Sequence, residues 1–319
     1  MNKFIMMVGI PGSGKTRAAG LIAKKERATL VSTDAVRLEL FGDEAKRRKN
    51  PLVFHEVYAR IEQALAAGSD VVFDATNVDR DKRMSVLKRF PHATAECYYV
   101  STPFEICLQR NQARKRKLDE LVLAKYHKNL HIPLHQEGFA AIHLLHEPVP
   151  YPMTKEAFIA LLQSEPGYDE LFAALSGIAY FQQMKDFQQD NPHHQHTLCK
   201  HTYHVLDYVN TFYEEDDKLL MQIVALFHDV GKLYTKVFKQ AKGHSSYYGH
   251  EYVSSQIAVH FLKELGFADE LVFRAAALIE MHMKIAYGGD EGASEIYHLV
   301  GADMLTKLYF FKEADHYGK

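Results

Sequence analysis

Apolar positions fall into two regimes along the chain. Over the first 146 residues, short near-continuous apolar runs alternate with stretches of helical spacing. "FIMMVGI", "ATLVSTD", "SDVVFDAT", "ATAECYYVST" and "AIHLLHE" read as strands. Between them, "KTRAAGLIAKKE", "NPLVFHEVYARIEQALAAG", "DRDKRMSVLKRF" and "PFEICLQRNQARKRK" read as helices, one stopped by Gly68 and one opened by Pro103. Strands this uniformly apolar, alternating with helices, predict a parallel sheet covered on both faces. "PVPYPMT", with three prolines, predicts a domain boundary. Beyond it the pattern is helical: "KEAFIALLQ", "YDELFAALSGIAYFQQMKDF", "TYHVLDYVNTFY", "KLLMQIVALFHDV", "HEYVSSQIAVHFLKELG", "DELVFRAAALIEMHMK" and "ASEIYHLVGADMLTKLYFFKEA". No strand series is expected there. The reading is an α/β domain over 1–150, a linker over 151–168 and an all-α domain over 169–319.

Composition refines this without redirecting it. The 319 residues suffice for two domains, and 47 % hydrophobic with 24 % charged residues is a globular balance. No apolar run nears the ~20 residues of a membrane span. "MNKFIMMVGIPG" lacks a cleavage site and does not read as a secretion signal. Cys97, Cys107 and Cys199 have no paired spacing, so reduced thiols and a cytoplasmic location are expected. Residues 1–150 hold 24 Lys/Arg against 17 Asp/Glu, and residues 151–319 hold 14 against 23. The basic half suits a polyanion and the acidic, histidine-rich half suits metal ions. No interleaving of basic and aromatic residues typical of a single-strand platform stands out.

The first chemical signal is "GIPGSGKT", residues Gly9, Ile10, Pro11, Gly12, Ser13, Gly14, Lys15 and Thr16. It fits G-x-x-x-x-G-K-[ST] between a strand and a helix, the phosphate-binding loop. Backbone N–H groups curl around a β-phosphate at the positive helix end, Lys15 bridges β- and γ-phosphates, and Thr16 offers its hydroxyl to Mg²⁺. Asp34 ends the next strand, where it can accept a proton from an attacking hydroxyl or simply cap a helix. Arg37 follows one turn later. Asp74 ends a further strand and can organise Mg²⁺ through water. Thr76 and Asn77 beside it can hold an acceptor phosphate, with Arg83 downstream. Arg110 and Arg114, at i and i+4, share a helix face and can clamp the transferring phosphoryl group as a lid. The run Arg114-Lys115-Arg116-Lys117 reads as phosphate contact or as a solvated face.

"GIPGSGKT", "TDAVR", "DATN" with Arg83, and "QRNQAR" followed by "EGFAAIHLL" together resemble the kinase domain of phage-type polynucleotide 5′-kinases, over about residues 2–148. The resemblance implies an α/β P-loop kinase domain binding ATP-Mg. Asp34 would activate the acceptor's 5′-hydroxyl, Arg37 would hold the acceptor phosphate, and Arg114 would touch the donor. Kinases of small metabolites share these features.

The second signal is "LFHDVGK", where an apolar stretch runs into His228 and Asp229. Two adjacent ligands need others to complete a metal shell. His201, His250, His282 and Asp303 occupy helical stretches that can point inward to a shared interior. Nitrogen and carboxylate donors suit Mn, Fe, Ni, Co or Zn. The order of these residues resembles the HD phosphohydrolase superfamily, over roughly residues 170–319. That resemblance implies His201, His228, Asp229 and Asp303 as the minimal ligand set. His250 and His282 would serve a second metal or the phosphate, and Lys232 would touch substrate phosphate. His193, His194, His196 and His204 read as surface or supporting residues, with His204 one turn from His201. His260 and His298 read as packing or surface.

A 5′-kinase joined to a phosphohydrolase resembles the bacterial end-healing proteins that fuse these domains, with the order reversed here. The combined expectation is a bifunctional enzyme acting on RNA or DNA ends. It would phosphorylate a 5′-hydroxyl and remove a 2′,3′-cyclic or 2′/3′ phosphate. A small-metabolite kinase fused to a nucleotide phosphohydrolase is the alternative, and a nucleotide-switched regulatory or RNA-binding protein with a degenerate HD domain is a third. Oligomeric state is not legible.

Overall fold

The computed structural model describes residues 1–42, 50–114, 116–192 and 195–319. Lys115, His193 and His194 therefore lie outside the described residues. The chain divides into two compact units: Met1–Tyr126 with Pro133–Glu147, and His127–Ile132 with Pro148–Lys319.

The first unit is built on five parallel strands, β1 (Lys3–Val8), β2 (Thr29–Ser32), β3 (Val71–Asp74), β4 (Thr94–Ser101) and β5 (Ala141–His146), in the order β2-β3-β1-β4-β5. β1 is central, pairing Phe4 with Val71 on one side and with Ala95 on the other. Its residues Phe4 to Val8 and all of β3 are buried, which explains their unbroken apolar sequence. Helices α1 (Lys15–Glu26), α2 (Thr33–Phe41), α3 (Asn50–Ala66), α4 (Arg80–Leu87), α5 (Phe104–Ala113) and α6 (Glu120–His127) connect the strands. The strand order reverses across β1, so its C-terminal end opens where open α/β sheets hold ligands.

The second unit is helical, with α7 (Lys155–Gln163), α8 (Tyr168–Ala174), α9 (Ala179–Met184), α10 (Leu198–Phe212), α11 (Lys218–Phe227), α12 (Lys232–Thr235), α13 (His250–Glu264), α14 (Asp269–Tyr287) and α15 (Gly289–Tyr317). α11 is buried continuously from Leu220 to Phe227, which is why it is apolar apart from Gln222, whose amide donates to the Leu162 carbonyl and Asn210 Oδ1. Each Leu, Ile or Phe buried there contributes about 1.5–3 kcal/mol.

Four features depart from the sequence reading. The expected linker 151–168 holds α7, whose Phe158 and Leu162 are fully buried. A two-stranded antiparallel hairpin, β6 (Val237–Lys239) and β7 (His244–Ser246), interrupts the expected all-α domain. α15 is broken at Gly301, whose φ of 82° leaves the helical range. Residues 127–132, inside the expected first domain, pack in the second unit: Leu130 and Ile132 are buried, and the Ile132 amide donates to Glu280 at 2.7 Å. No described helix is long and apolar enough to cross a membrane.

Candidate phosphate loop and metal centre

β1 delivers the glycine-rich loop directly onto α1. Gly12 and Gly14 hold φ of 93° and 94°, a region open to glycine and strained for other residues. A Cβ on Gly12 would stand 2.7 Å from the Cys107 carbonyl oxygen, so α5 seals one side of the loop. Lys15 is buried and donates to the Ile10 carbonyl at 3.0 Å, folding its ammonium back over the loop. Burial lowers that ammonium to about 8, against the opposing charge of buried Asp74. The Ser13 hydroxyl is buried without a hydrogen-bond partner among the described residues. A compact anion seated between Ser13 and Lys15 would satisfy both, so the loop fits a nucleotide phosphate. Thr16 is exposed at the start of α1.

Asp34 and Arg37 lie on the first two turns of α2 and pair at 2.6 Å. The Asp34 side chain is 65 % exposed and free to meet a hydroxyl, whereas Arg37 is buried and also reaches Asn50 at 3.2 Å. Thr76 and Asn77 brace the loop: the Thr76 carbonyl accepts from the Gly9 amide, and the Asn77 side-chain amide donates to the Met7 carbonyl.

Two expectations here need correction. Arg83 does not face an acceptor. It is 1 % exposed, donates to both Glu137 oxygens at 2.6 and 2.7 Å, and also donates to the carbonyls of Asn77 and Val78. It is a buried strut for the loop bearing Thr76 and Asn77. Arg110 and Arg114 do not share a helix face either. α5 ends at Ala113, and Arg114 has an extended backbone (φ −74°, ψ 147°). Arg110 pairs with Glu147 at 2.8 Å and points a second nitrogen at the Gly12 carbonyl, while exposed Arg114 leaves the helix.

In the second unit, His228 continues directly from α11, followed by a tight turn into α12. Gly231 is required by a close approach: a Cβ there would lie 2.2 Å from the His250 carbonyl oxygen on α13. Around Asp229 stand His201 from α10, His228, His250 from α13, His282 from α14, and Asp315 from the last turn of α15. Two groups form, His201-His228-Asp229-Asp315 and Asp229-His250-His282, each with ligand atoms within 4.8 Å of one another. Asp229 joins them. Its Oδ2 lies 3.1 Å from His201 Nε2 and 3.2 Å from His228 Nε2, and its Oδ1 lies 3.0 Å from His250 Nε2.

The imidazoles are oriented by their far nitrogens. Each Nδ1 faces a backbone carbonyl: Gly318 for His201, Ala225 for His228, Tyr247 for His250 and Ile279 for His282. A carbonyl only accepts, so each Nδ1 carries a proton and Nε2 is the atom each imidazole turns to the centre. These Nε2 atoms sit 3.1 Å apart between His201 and His228, and 3.3 Å apart between His250 and His282, too close for two bare lone pairs. Such contacts repel unless a proton or a cation lies between them, so the donor set fits divalent ions. Burial lowers His282 to about 3, reinforced by His250 and His228. Burial works the same way on His228, but Asp229 and Asp315 outweigh it and raise that group to about 9. Burial opposes ionisation of Asp229, yet Lys232 and His228 hold it well below the usual carboxylate range. Lys232 Nζ lies 2.6 Å from Asp229 Oδ2 and donates to Gln189 at 2.9 Å.

Asp303 is not in this cluster. It is 64 % exposed on its side chain and pairs with Lys307 at 2.6 Å and Arg274 at 3.3 Å. Asp315 lies twelve residues on, about 18 Å along the helix and a third of a turn around it, and occupies the expected place. Sequence reasoning also missed Gln189 and Glu137. His204 packs against His196 at 5.0 Å, while the far nitrogen of His201 uses Gly318. His260 is buried against the Tyr151 hydroxyl, and exposed His298 bonds the Ser294 carbonyl.

Residues 4–133 match the AAA domain family, and residues 198–318 match the HD domain family. The chain joins a P-loop kinase-like domain to an HD domain. Among characterised proteins, a CC-adding tRNA nucleotidyltransferase of Thermus thermophilus is 35 % identical over 94 residues, 30 % of this chain and 21 % of that protein. Among solved structures, a chain of the Pnkp1/Rnl/Hen1 RNA repair complex is 21 % identical with a TM-score of 0.38, covering 40 % of this chain and 44 % of that one. A gluconokinase from Sinorhizobium meliloti 1021 is 18 % identical with a TM-score of 0.34, covering 56 % and 97 %. This chain thus spans about a fifth of the tRNA enzyme and under half of the repair-complex chain. An HD domain implies divalent metal binding, in keeping with the histidine and aspartate cluster.

Proposed function

We propose that this protein heals broken nucleic-acid ends, its P-loop unit phosphorylating a 5′-hydroxyl and its HD unit removing a 2′,3′-cyclic or 2′/3′ phosphate. The observation that carries the reading is one chain holding both a phosphate loop with an exposed carboxylate, Asp34, and a buried set of four converging Nε2 atoms around Asp229. One site is equipped to add a phosphate and the other to remove one. Many ribonucleases leave a 5′-hydroxyl opposite a 2′,3′-cyclic phosphate, and ligation requires the reverse polarity.

In the kinase unit, Lys15 and the loop amides hold the β- and γ-phosphates of ATP, and Thr16 ligates the accompanying Mg²⁺. Asp34 accepts the acceptor's hydroxyl proton, while Arg37 orients Asp34 and the acceptor. Arg110 and Arg114 approach the phosphates from the end of α5. In the HD unit, His201, His228, Asp229 and Asp315 would hold one ion, and Asp229, His250 and His282 would hold a second. A divalent metal there supplies activated water and polarises a phosphoryl oxygen. Lys232 fixes Asp229 and stands ready for a substrate oxygen. Three buried cysteines without disulfide partners suit the cytoplasm.

Phosphorylation of a small metabolite is the second reading. The observation favouring it is that Arg83 is occupied by Glu137, which leaves fewer cations for an acceptor phosphate. Purified protein should be offered labelled ATP with a 5′-hydroxyl oligonucleotide, with a nucleoside, and alone. We expect label on the oligonucleotide, lost in Asp34→Ala. Label on the nucleoside only would reject end healing. A 2′-phosphate-terminated RNA with Mn²⁺ tests the other unit, and activity surviving in His228→Ala would reject the assigned centre.

A further inference from the structure

The β6–β7 hairpin carries a feature that phosphate hydrolysis alone does not require. Residues 151–319 are acidic overall, yet between Asp229 and Glu251 the chain has four lysines and no acidic residue. β6 is exposed along its whole length, with Phe238 59 % exposed, and Tyr248 beyond β7 is 68 % exposed. Lys242 donates to the Tyr248 hydroxyl at 2.9 Å and its ammonium stands 5.4 Å from that ring centre. Lys239 on β6 lies within electrostatic reach of Lys128: burial, then the like charge of Lys239, lowers the Lys128 ammonium. Among the described residues neither Lys128 nor Lys239 has an acidic partner.

The surface is rigidly tied to the metal centre. A Cβ on Gly249 would meet the Lys128 carbonyl oxygen at 2.6 Å, so Lys128 touches the residue just before His250. Tyr247 is buried at the base of the hairpin: its carbonyl accepts from His250 Nδ1, its hydroxyl donates to the Gln189 carbonyl, and Lys232 stands 5.5 Å over its ring. Asp190 anchors β7 through the Ser245 amide and pairs with Lys236. Lys232 is held by Asp229, so Lys239 and Lys242 are the two of the four that face outward without a carboxylate.

We propose that Lys128, Phe238, Lys239, Lys242 and Tyr248 bind the sugar-phosphate backbone and bases of a single-stranded polynucleotide whose terminal phosphate enters the metal centre. These ammoniums complement successive phosphates, and the exposed rings offer stacking faces that accept any base. The proposal rests on the phosphohydrolase reading above and deepens it: the HD unit acts on strands, not on free nucleotides.

The test compares an eight-nucleotide RNA carrying 5′- and 2′-terminal phosphates with the matching 2′-phosphorylated mononucleotide, both with Mn²⁺. In the unaltered protein the oligomer's KM should be at least tenfold lower. Lys239→Ala with Lys242→Ala should raise that KM about tenfold with kcat held, flatten its salt dependence by about 1.4 log units per log unit of salt for two lost contacts, and leave mononucleotide turnover unchanged. Phe238→Ala should raise the oligomer's KM independently. Equal KM for both substrates, or variants that impair both equally, would overturn the strand surface while leaving the phosphohydrolase reading intact. If neither substrate is hydrolysed, that reading fails and the surface is judged by fluorescence anisotropy of a labelled oligomer, where an unchanged Kd in the double variant overturns it. A change in sedimentation without a change in oligomer KM would overturn it too, assigning the face to contact between copies.

Discussion

Glu137 offers a sharp test because three charged side chains share one buried place. Its carboxylate is fully buried and takes Arg83 at 2.6 Å, Arg80 at 3.2 Å and the Leu134 amide at 3.0 Å. At an effective dielectric of about 20, a 2.6 Å pair attracts by about 6 kcal/mol and a 3.2 Å pair by about 5 kcal/mol. Withdrawing each ion from water costs several kcal/mol, so the assembled cluster contributes little net stability. Removing one partner is different, because the remaining charge is left buried and uncompensated. Glu137→Ala should therefore destabilise the first unit by about 3–5 kcal/mol, and Arg83→Met by a comparable amount. The double variant should fall short of the sum by about 2–3 kcal/mol, the mark of direct coupling. Urea unfolding followed by far-UV circular dichroism measures this, fitted with separate transitions for the two units. Arg83→Met should leave the acceptor's KM within about twofold under conditions where it stays folded. If instead Arg83→Met unfolds at the unaltered urea concentration and raises acceptor KM tenfold, Arg83 reaches the acceptor and the structural role fails.

Three further outcomes follow from the same geometry. Asp315→Asn should weaken Mn²⁺ binding at least tenfold by calorimetry, whereas Asp303→Asn should leave it unchanged and cost about 1 kcal/mol, since Asp303 is exposed and buried Lys307 keeps Asp217 at 3.4 Å. The reverse result would restore Asp303 as the ligand. His127 is buried and lowered to about 3, chiefly by burial and then by Lys128, so it stays neutral in the folded chain while the unfolded chain protonates it below about 6.5. Its contribution is therefore present above that pH and lost on acidification, about 2 kcal/mol by pH 5. His127→Gln should remove that part of the acid sensitivity in urea midpoints compared at pH 7 and 5, and an unchanged pH dependence refutes it. Gly231→Ala would drive a methyl into the His250 carbonyl, costing about 3 kcal/mol of overpacking and lowering bound metal, read by thermal melting and elemental analysis.

What was legible in the sequence was local or chemically rare. "GIPGSGKT" keeps strand end, turn and helix start within eight contiguous residues, so spacing alone specifies the loop. The buried strands betrayed themselves by unbroken apolar runs. The histidines that converge at the centre stood out as a set, in order with the adjacent His228-Asp229 pair, since a lone buried imidazole such as His260 merely finds a hydrogen bond. Carboxylates carry no such signature: with 40 Asp and Glu in the chain, Asp303 and Asp315 each follow an apolar helical pattern. Both lie beyond the break at Gly301, and only the packing of that last helical stretch decides which one turns inward. Arg83 misled for a related reason, since its partner lies 54 residues away and an isolated arginine near a helix start reads as exposed. Arg114 was placed by an i, i+4 rule that holds only while the helix continues, and α5 stops one residue short.

The hairpin and the 127–132 segment were missed because both are defined by partners and not by pattern. Three-residue strands fall below the length at which alternation can be counted. Lys128 and Lys239, more than a hundred residues apart in sequence, come within electrostatic reach because the chain contributes a short segment to the second unit before completing the first. Dividing this sequence at its prolines near 150 would therefore yield a C-terminal fragment without buried Leu130 and Ile132, and without the Ile132 amide that satisfies Glu280. Such a fragment would expose apolar surface and leave a carboxylate oxygen buried without that bond beside the α14 segment that carries His282. Residues encoded within the stretch that otherwise builds the first unit thus support the helix carrying His282 of the candidate metal site, a link that domain boundaries drawn from composition conceal.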